Sequence, residues 1–332
     1  MAETVRWGII GTGGIADAFV SDLLDNGMTV TAVGSRTQAK ADAFASAHGI
    51  RSAYGSYEDL VAAPDVDAVY VATPHPMHRT DASLALNAGK HVLVEKAFTI
   101  NEADAAAIVA LAEEKQLVVL EAMWTRFLPH MIRLRELIAE GVIGDVRTVI
   151  ADHNQSLPTN PEHRLQDPKL GGGALLDLGI YPVSFAWDIL GAPTSVAAIS
   201  SPTATGVDRQ TAIMLGYADG QQALLHTALD TFGPTAASVI GTKGWVKIDS
   251  TFYAPTTFTV FATDGSVIEE FDGSVKSRGM QFEALEVERL IGEGLIAGEI
   301  LPPSETVAIM GTLDAIRAQI GLVYPGETPA AQ

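Results

Sequence analysis

Residues 5–36 constrain the fold of this chain more than any other stretch. Val5 to Ile10 is an apolar run with strand character, and it leads directly into Gly11-Thr12-Gly13-Gly14-Ile15-Ala16, a G-x-G-x-x-A turn. A helical stretch from Asp17 to Asn26 follows, then a second strand, Thr29 to Val33, ending in Gly34-Ser35-Arg36. Strand, turn, helix and strand in that order are the setting in which this glycine pattern opens a doubly wound parallel sheet and cradles a dinucleotide. Gly11 permits the tight turn, Gly13 lets the backbone approach a pyrophosphate, and Ala16 is small enough for the helix to pack on the sheet. Thr12, Gly14 and Ile15 complete a loop whose N–H groups lie at the positive end of the helix.

The end of the second strand bears on which dinucleotide. An NAD site usually places a carboxylate there to hold the ribose 2′-hydroxyl. This chain has Ser35 and Arg36 instead, a hydroxyl and a guanidinium suited to a 2′-phosphate. A solvent-facing arginine in a βα loop has the same sequence. NADP is therefore favoured, with NAD as the alternative.

A length of 332 residues predicts two domains. The 47% hydrophobic and 18% charged content is that of a globular protein with a sizeable core. A formal net charge of −19 argues against nucleic acid and anionic membrane as partners. The absence of cysteine excludes disulfides, thiolate metal sites and cysteine nucleophiles. The N-terminus lacks a basic region followed by an apolar core, and no apolar run approaches the length of a membrane span. A cytoplasmic location is the expectation.

The first 120 or so residues alternate strand and helix: Gln38–His48 helical, Val66–Ala72 a buried strand, His78–Ala88 helical, His91–Glu95 a strand, Asn101 to about Lys115 helical, and Leu117–Leu120 a strand. That alternation predicts a Rossmann-type parallel sheet over residues 1–121. Beyond it, His130–Glu140 reads as a helix and Val146–Asn154 as a strand, and Gly171-Gly172-Gly173 precedes a helix reaching about Leu190. Strands separated by turn signals fill 194–272, and two helices, about 279–296 and 303–320, close the chain. Residues 122–332 are thus expected to form an α+β domain with a large, mainly antiparallel open sheet, whose last helix returns to the first domain. Self-association into a homodimer or homotetramer would cover the second face of that sheet. The tail after Tyr324 is expected to be mobile.

Three segments carry groups able to do chemistry. Lys96 lies just past the carboxyl end of a buried strand, after Glu95, where open α/β sheets bind ligands; a solvated surface lysine is the alternative. Asp177 and Tyr181 stand four apart, so an α-helix puts both on one face, where a carboxylate and a phenol suit a hydroxyl substrate. A core tyrosine and a solvated aspartate fit that segment equally well. Glu121 to Pro129, at the junction of the expected domains, offers Trp124 and Phe127 as pocket walls and Arg126 to orient a substrate, or ordinary packing. His75, His78 and His153 are further candidates. No His, Asp and Glu grouping has metal-ligand spacing, so no metal is expected.

Taken together, these residues resemble the glucose–fructose oxidoreductase / inositol dehydrogenase / MocA family over nearly the whole chain. The carriers are Gly11–Ala16, Ala72-Thr73-Pro74-His75 with His78, Ala88 to Lys96, and Gly171-Gly172-Gly173 followed by Asp177. Glu121–Pro129 and Tyr181 are similar to the branch of dimeric dihydrodiol dehydrogenases and NADP-dependent xylose dehydrogenases. The resemblance implies an NAD(P)-dependent oxidoreductase that moves a hydride between nicotinamide and a carbinol or carbonyl carbon of a sugar or polyol. It implies Tyr181 as acid/base, Lys96 as the catalytic lysine that lowers the Tyr181 pKa, and Asp177 as a hydroxyl-binding carboxylate. Thr73, Pro74, His75, His78, Glu95, Lys96 and Arg126 would serve the cofactor, and Lys96, Trp124, Arg126, His153, Asp177 and Tyr181 the substrate. Ala97 replaces the proline of the family's Glu-Lys-Pro motif, which leaves the lysine intact and is expected to loosen its turn. The alternatives are a dihydrodiol dehydrogenase, a reductase of dicarbonyls or anhydro-sugars, and a cofactor-sensing regulator without turnover. Retention of Lys96, Asp177 and Tyr181 argues against the regulator.

Overall fold

The structure, a computed structural model, describes residues 4–327. It divides into two compact units, one formed by the chain up to Trp124 together with Lys276–Val307, the other by Thr125–Val275 together with the chain from Ala308 on.

The first unit begins β1 (Arg6–Ile10), α1 (Gly14–Asp25), β2 (Thr29–Gly34), α2 (Gln38–His48), β3 (Ser52–Tyr54), α3 (Tyr57–Val61) and β4 (Ala68–Val71). It continues with α4 (His78–Asn87), β5 (His91–Glu95), α5 (Glu102–Lys115) and β6 (Val119–Ala122). The six strands pair in parallel in the order β3-β2-β1-β4-β5-β6. This is the doubly wound sheet read from the sequence, and its strand order reverses between β1 and β4. The central strands are buried on both faces, which is why they read as unbroken apolar runs. β3 and α3 escaped that reading because three and five residues are too short to show a period.

The sequence reading gave residues 276–307 to the second domain; they cluster with the first. Buried polar anchors hold them there. Asp22 on α1 accepts the backbone N–H groups of Arg278, Met280 and Gln281 at 2.7, 2.6 and 3.3 Å, and so caps the helix Gln281–Glu293 from across the fold. The Trp7 indole donates to Glu288 at 3.0 Å, and the Thr306 hydroxyl to Glu121 at 3.4 Å. The helix that returns is thus mainly the penultimate one.

The second unit contains α6 (Pro129–Ala139), β7 (Val146–Asn154), α7 (Ile180–Leu190), β8 (Ser195–Pro202), β9 (Asp208–Gly216), β10 (Gln222–Ala228) and β11 (Ala237–Gly241). Then come β12 (Gly244–Ile248), β13 (Thr257–Ala262) and β14 (Val267–Asp272), before α8 (Gln281–Glu293, in the first unit) and α9 (Pro303–Ile320). Its sheet runs β14-β13-β12-β11-β7-β10-β9-β8, antiparallel except where β7 lies parallel to β10. Period-2 alternation gives it two faces. Across the inner face, Val246, Val239, Val149, Ala223 and Leu215 form one register row, all buried. On the outer face the neighbouring row holds Ile150, Leu224 and Met214, which are 42%, 42% and 47% exposed.

Two expectations change here. Pro168–Leu190 is long and apolar enough, by length and composition, to cross a bilayer, although no such run was read from the sequence; it is mostly buried inside the protein. Nor is the start of the C-terminal tail loose. Glu327 accepts from Arg317 at 3.0 Å as well as through a second, shorter ion-paired contact, and from the Tyr324 N–H at 2.9 Å. Residues 328–332 lie outside the described residues.

Candidate functional site

In the first unit the candidate residues gather on loops at the carboxyl ends of β1, β2, β4 and β5, around the strand-order reversal. Gly11 has φ +104°, and a Cβ there would lie 2.9 Å from the Ala72 carbonyl oxygen. A Cβ on Gly13 or Gly14 would meet nothing within 4 Å, so packing does not demand these glycines. Gly13, Gly14 and Ile15 are exposed, and no side chain caps α1. A pyrophosphate fits this arrangement: an open backbone surface at a positive helix end, unobstructed by side chains. The Thr12 and Ser35 hydroxyls share a hydrogen bond of 3.3 Å, tying the first loop to the end of β2, where Arg36 is exposed. The residues present therefore fit a dinucleotide with a 2′-phosphate.

Lys96 is half-buried, in a turn gripped from several sides. Its N–H donates to Glu95 at 3.1 Å, and its carbonyl lies 3.2 Å from His75 Nε2. His78 Nδ1 lies 3.1 and 3.2 Å from the carbonyls of Ala97 and Phe98, and its Nε2 2.7 Å from that of Thr73. The Phe98 N–H donates to Glu121 at 3.1 Å. The turn that Ala97 was expected to loosen is thus clamped by histidines. Burial pulls the His78 pKa below the ordinary range, against three carbonyls that favour the charged ring. Two of the cofactor assignments change. His78 is fully buried and joins the β4 and β5 loops, while Glu95 turns inward onto the Tyr70 hydroxyl and the Lys96 N–H. Thr73 and Pro74 reach the surface, and the Thr73 hydroxyl donates to Asp81 at 2.7 Å.

Behind this turn, Glu283 of α8 is fully buried, and neither carboxyl oxygen has a hydrogen-bond partner. Burial, together with the facing carboxylates of Glu95, Asp22 and Glu121, holds its pKa well above the usual range.

In the second unit, residues 175–179 form a π-helical turn that runs into α7. Pro182 has no N–H to give the Leu178 carbonyl four residues back. His153 on β7 supplies one, its Nδ1 lying 3.2 Å from that oxygen. The tautomer follows from the partners: Gln155 Nε2 lies 2.7 Å from His153 Nε2 and 2.9 Å from the Tyr253 hydroxyl. An amide nitrogen only donates, so His153 Nε2 accepts and Nδ1 carries the proton. His153 is thereby a buried support of the turn, not an exposed substrate contact.

The π turn also alters the expected geometry, because α-helical i,i+4 stacking does not describe this segment. Asp177 pairs with Arg164 at 3.0 Å. Tyr181 packs its ring on Tyr253, with centroids 4.5 Å apart, and edge-on to His153 at 5.2 Å. Arg126, expected to face cofactor and substrate, is buried and uses Nε, Nη1 and Nη2 on Ser184 and Asp188 of α7. Trp124 ends the first unit and is 7% exposed. Arg164, Gln155 and Tyr253 were missed by the sequence reading. Arg164 opens a three-residue 3-10 helix and the other two sit in irregular segments, where no period or motif marks them.

Residues 5–123 match a family model described as the oxidoreductase family with an NAD-binding Rossmann fold, and residues 131–247 match a GFO/IDH/MocA C-terminal domain. Among curated relatives, the D-xylose 1-dehydrogenase (NADP(+)) of Hypocrea jecorina is 37% identical, covering 97% of this chain and 93% of its own length. The trans-1,2-dihydrobenzene-1,2-diol dehydrogenase of Xenopus laevis is 35% identical, over 96% and 99%. Similar solved structures include the 3-ketoreductase KijD10 of Actinomadura kijaniata in complex with NADP and TDP-benzene, at 26% identity and a TM-score of 0.86 over 96% of this chain and 98% of that one. The aldose-aldose oxidoreductase of Caulobacter crescentus complexed with glycerol is 25% identical, with a TM-score of 0.86 over 96% and 97%.

Proposed function

Because this chain belongs to the GFO/IDH/MocA oxidoreductase family, we propose that it is an NADP-dependent dehydrogenase moving a hydride between nicotinamide and a carbinol carbon of an aldose or polyol. The observation that carries the cofactor choice is the end of β2, where buried Ser35 and exposed Arg36 stand in place of a carboxylate. The nearest chemistry among the relatives named above is that of an NADP-dependent xylose dehydrogenase.

The nicotinamide, when bound, supplies the redox chemistry. The chain's own residues manage a proton and a charge. Oxidising a carbinol removes the hydroxyl proton as well as a hydride; Tyr181 as phenolate takes that proton, and as phenol it returns it in reduction. Packing against Tyr253, and edge-on against His153, fixes the direction of the phenol ring. Asp177, aimed by Arg164, accepts a hydrogen bond from a substrate hydroxyl. Lys96, in its clamped turn, supplies positive charge to the reacting oxygen. The first-unit loops bind phosphates through backbone N–H groups and leave the chemistry to these side chains.

The test is to mix the protein with NADP or NAD and a panel of aldoses, polyols and dihydrodiols, and to follow absorbance of the reduced nicotinamide. Turnover of an aldose with NADP is expected. The dihydrodiol dehydrogenase relatives favour a second reading, which turnover of a dihydrodiol without any aldose would select. Cofactor binding with no turnover across the panel would replace both readings with a sensor.

The outer row of Ile150, Leu224 and Met214 is apolar, exposed and central in the sheet. We propose that a second copy of the chain covers it, since a closed symmetric contact hides such a face in both partners.

A further inference from the structure

The π turn that carries Asp177 is entered through Gly171-Gly172-Gly173, and a buried carboxyl from another strand lies against that entrance. Asp208, at the start of β9, is 2% exposed. Its Oδ2 accepts the Leu175 N–H at 2.7 Å and the Thr211 hydroxyl at 3.1 Å. A Cβ on Gly173, where φ is +122°, would sit 2.1 Å from Asp208 Oδ1. A Cβ on Gly172 would sit 2.7 Å from the Leu165 carbonyl oxygen, and the Tyr324 hydroxyl donates to the Gly172 carbonyl at 2.8 Å. The glycines are there because the backbone lies directly against its neighbours.

The first N–H groups of any helical turn lack partners within it, and a side chain close in sequence usually caps them. Here the residue before the turn is Ala174, which offers no cap. Asp208 does the capping from thirty-three residues away. We propose that Asp208 is a positioning residue for the reaction: by capping Leu175 it fixes the start of the π turn, and with it the directions of Asp177 and Tyr181. This rests on the roles given above to those two side chains. His153 holds the same turn at its other end, through the Leu178 carbonyl. A carboxyl is a costly choice for so buried a place, and burial pushes its pKa up to about 7 despite the hydrogen bonds it accepts. An acceptor oxygen is what the geometry uses, and the neutral acid or an amide supplies one equally well.

The experiment compares Asp208→Asn, Asp208→Ala and Gly173→Ala in the full-length protein. It measures kcat, KM for the sugar, NADPH affinity by fluorescence and melting temperature. Asp208→Ala is expected to lower kcat at least ~10-fold, as a displaced catalytic group does. NADPH affinity should hold, because the cofactor loops belong to the first unit. Asn keeps the acceptor and should restore kcat to within ~3-fold of wild type. Gly173→Ala drives a methyl group into Oδ1 and should reproduce the kcat loss, which keeps the test decisive if Asp208→Ala does not fold. A lowered melting temperature with wild-type kcat in both alanine variants overturns the proposal, as does an Asn variant no better than Ala. Tyr181→Phe is run alongside. If it keeps full turnover, the assignment of the site has failed; if it is inactive while the Asp208 and Gly173 variants are not, positioning alone has failed.

Discussion

The two units present their functional groups in opposite ways. In the first, cofactor loops follow one another at the ends of parallel strands, and the backbone itself is the ligand surface. In the second, Asp177 and Tyr181 come from one short segment, but what directs them comes from elsewhere: Arg164 from a preceding loop, His153 from β7, Tyr253 from the β12–β13 connection and Asp208 from β9. A backbone-built site tolerates side-chain change outside a few glycines. A site assembled from side chains depends on each support. The difference fits a cofactor common to a family and substrates that vary within it.

The largest expected effect lies in the second unit. Tyr181→Phe should cut kcat by at least ~10²-fold with cofactor affinity unchanged, as general acid–base catalysts do. Stopped-flow and steady-state rates over a pH series check it, and turnover near wild type would remove Tyr181 from the chemistry. In the first unit, Arg36→Ala should weaken NADPH binding ~10-fold, the worth of one charge-assisted hydrogen bond, and leave NADH binding as it was. Equal losses for both cofactors would mean that Arg36 does not read the 2′-phosphate.

A smaller effect separates the units by stability. The folded-state pKa of Glu283 is raised above its ordinary value of 4.5 by burial and by Glu95, Asp22 and Glu121. The unfolded chain therefore gives up this proton first, and stability falls as pH rises above about 4.5. Asp208 adds a fall of the same sign in the second unit, between its ordinary 3.8 and about 7; Thr211, the Leu175 N–H and the Tyr324 phenol face it there. Glu283→Gln should flatten the first fall and leave the second. Urea midpoints at about pH 5 and about pH 8 measure both, and an unchanged slope in the variant would mean that Glu283 is not the group responsible. The smallest change to the monomer is expected from Leu224→Lys on the outer sheet face, which should shift sedimentation to a smaller species while leaving the fold intact.

How much of this was legible in the sequence follows the same division. Gly11 to Ala16, Ser35, Arg36 and Lys96 are readable because each lies within a few residues of a strand end, and strand ends announce themselves by apolar runs. The fold class was legible for the same reason. Asp177 and Tyr181 were visible as a pair, but the α-helical spacing between them was wrong. The signal that should have corrected it was Pro182, which removes a donor from the helix it sits in. Asp208 and Tyr253 carry no mark at all. Their partners lie thirty-three and ninety-eight residues away, and only a folded sheet brings those numbers together. The inward turn of His78 was equally invisible, since a histidine beside a loop looks the same whether it faces a ligand or three carbonyls.

The return of residues 276–307 to the first unit has a consequence for how the protein is made. The chain passes from one unit to the other at 124/125, 275/276 and 307/308. As synthesis runs from the N-terminus, the parallel sheet emerges complete in its strands yet without the helix that Asp22 caps and Trp7 binds, and without Thr306, which donates to Glu121. That part of the molecule must wait, with its anchors exposed, while the entire second sheet is translated. A single cut in the gene does not divide this protein into halves, and a ribosome stalled between codons 125 and 307 holds two unfinished units rather than one finished and one absent.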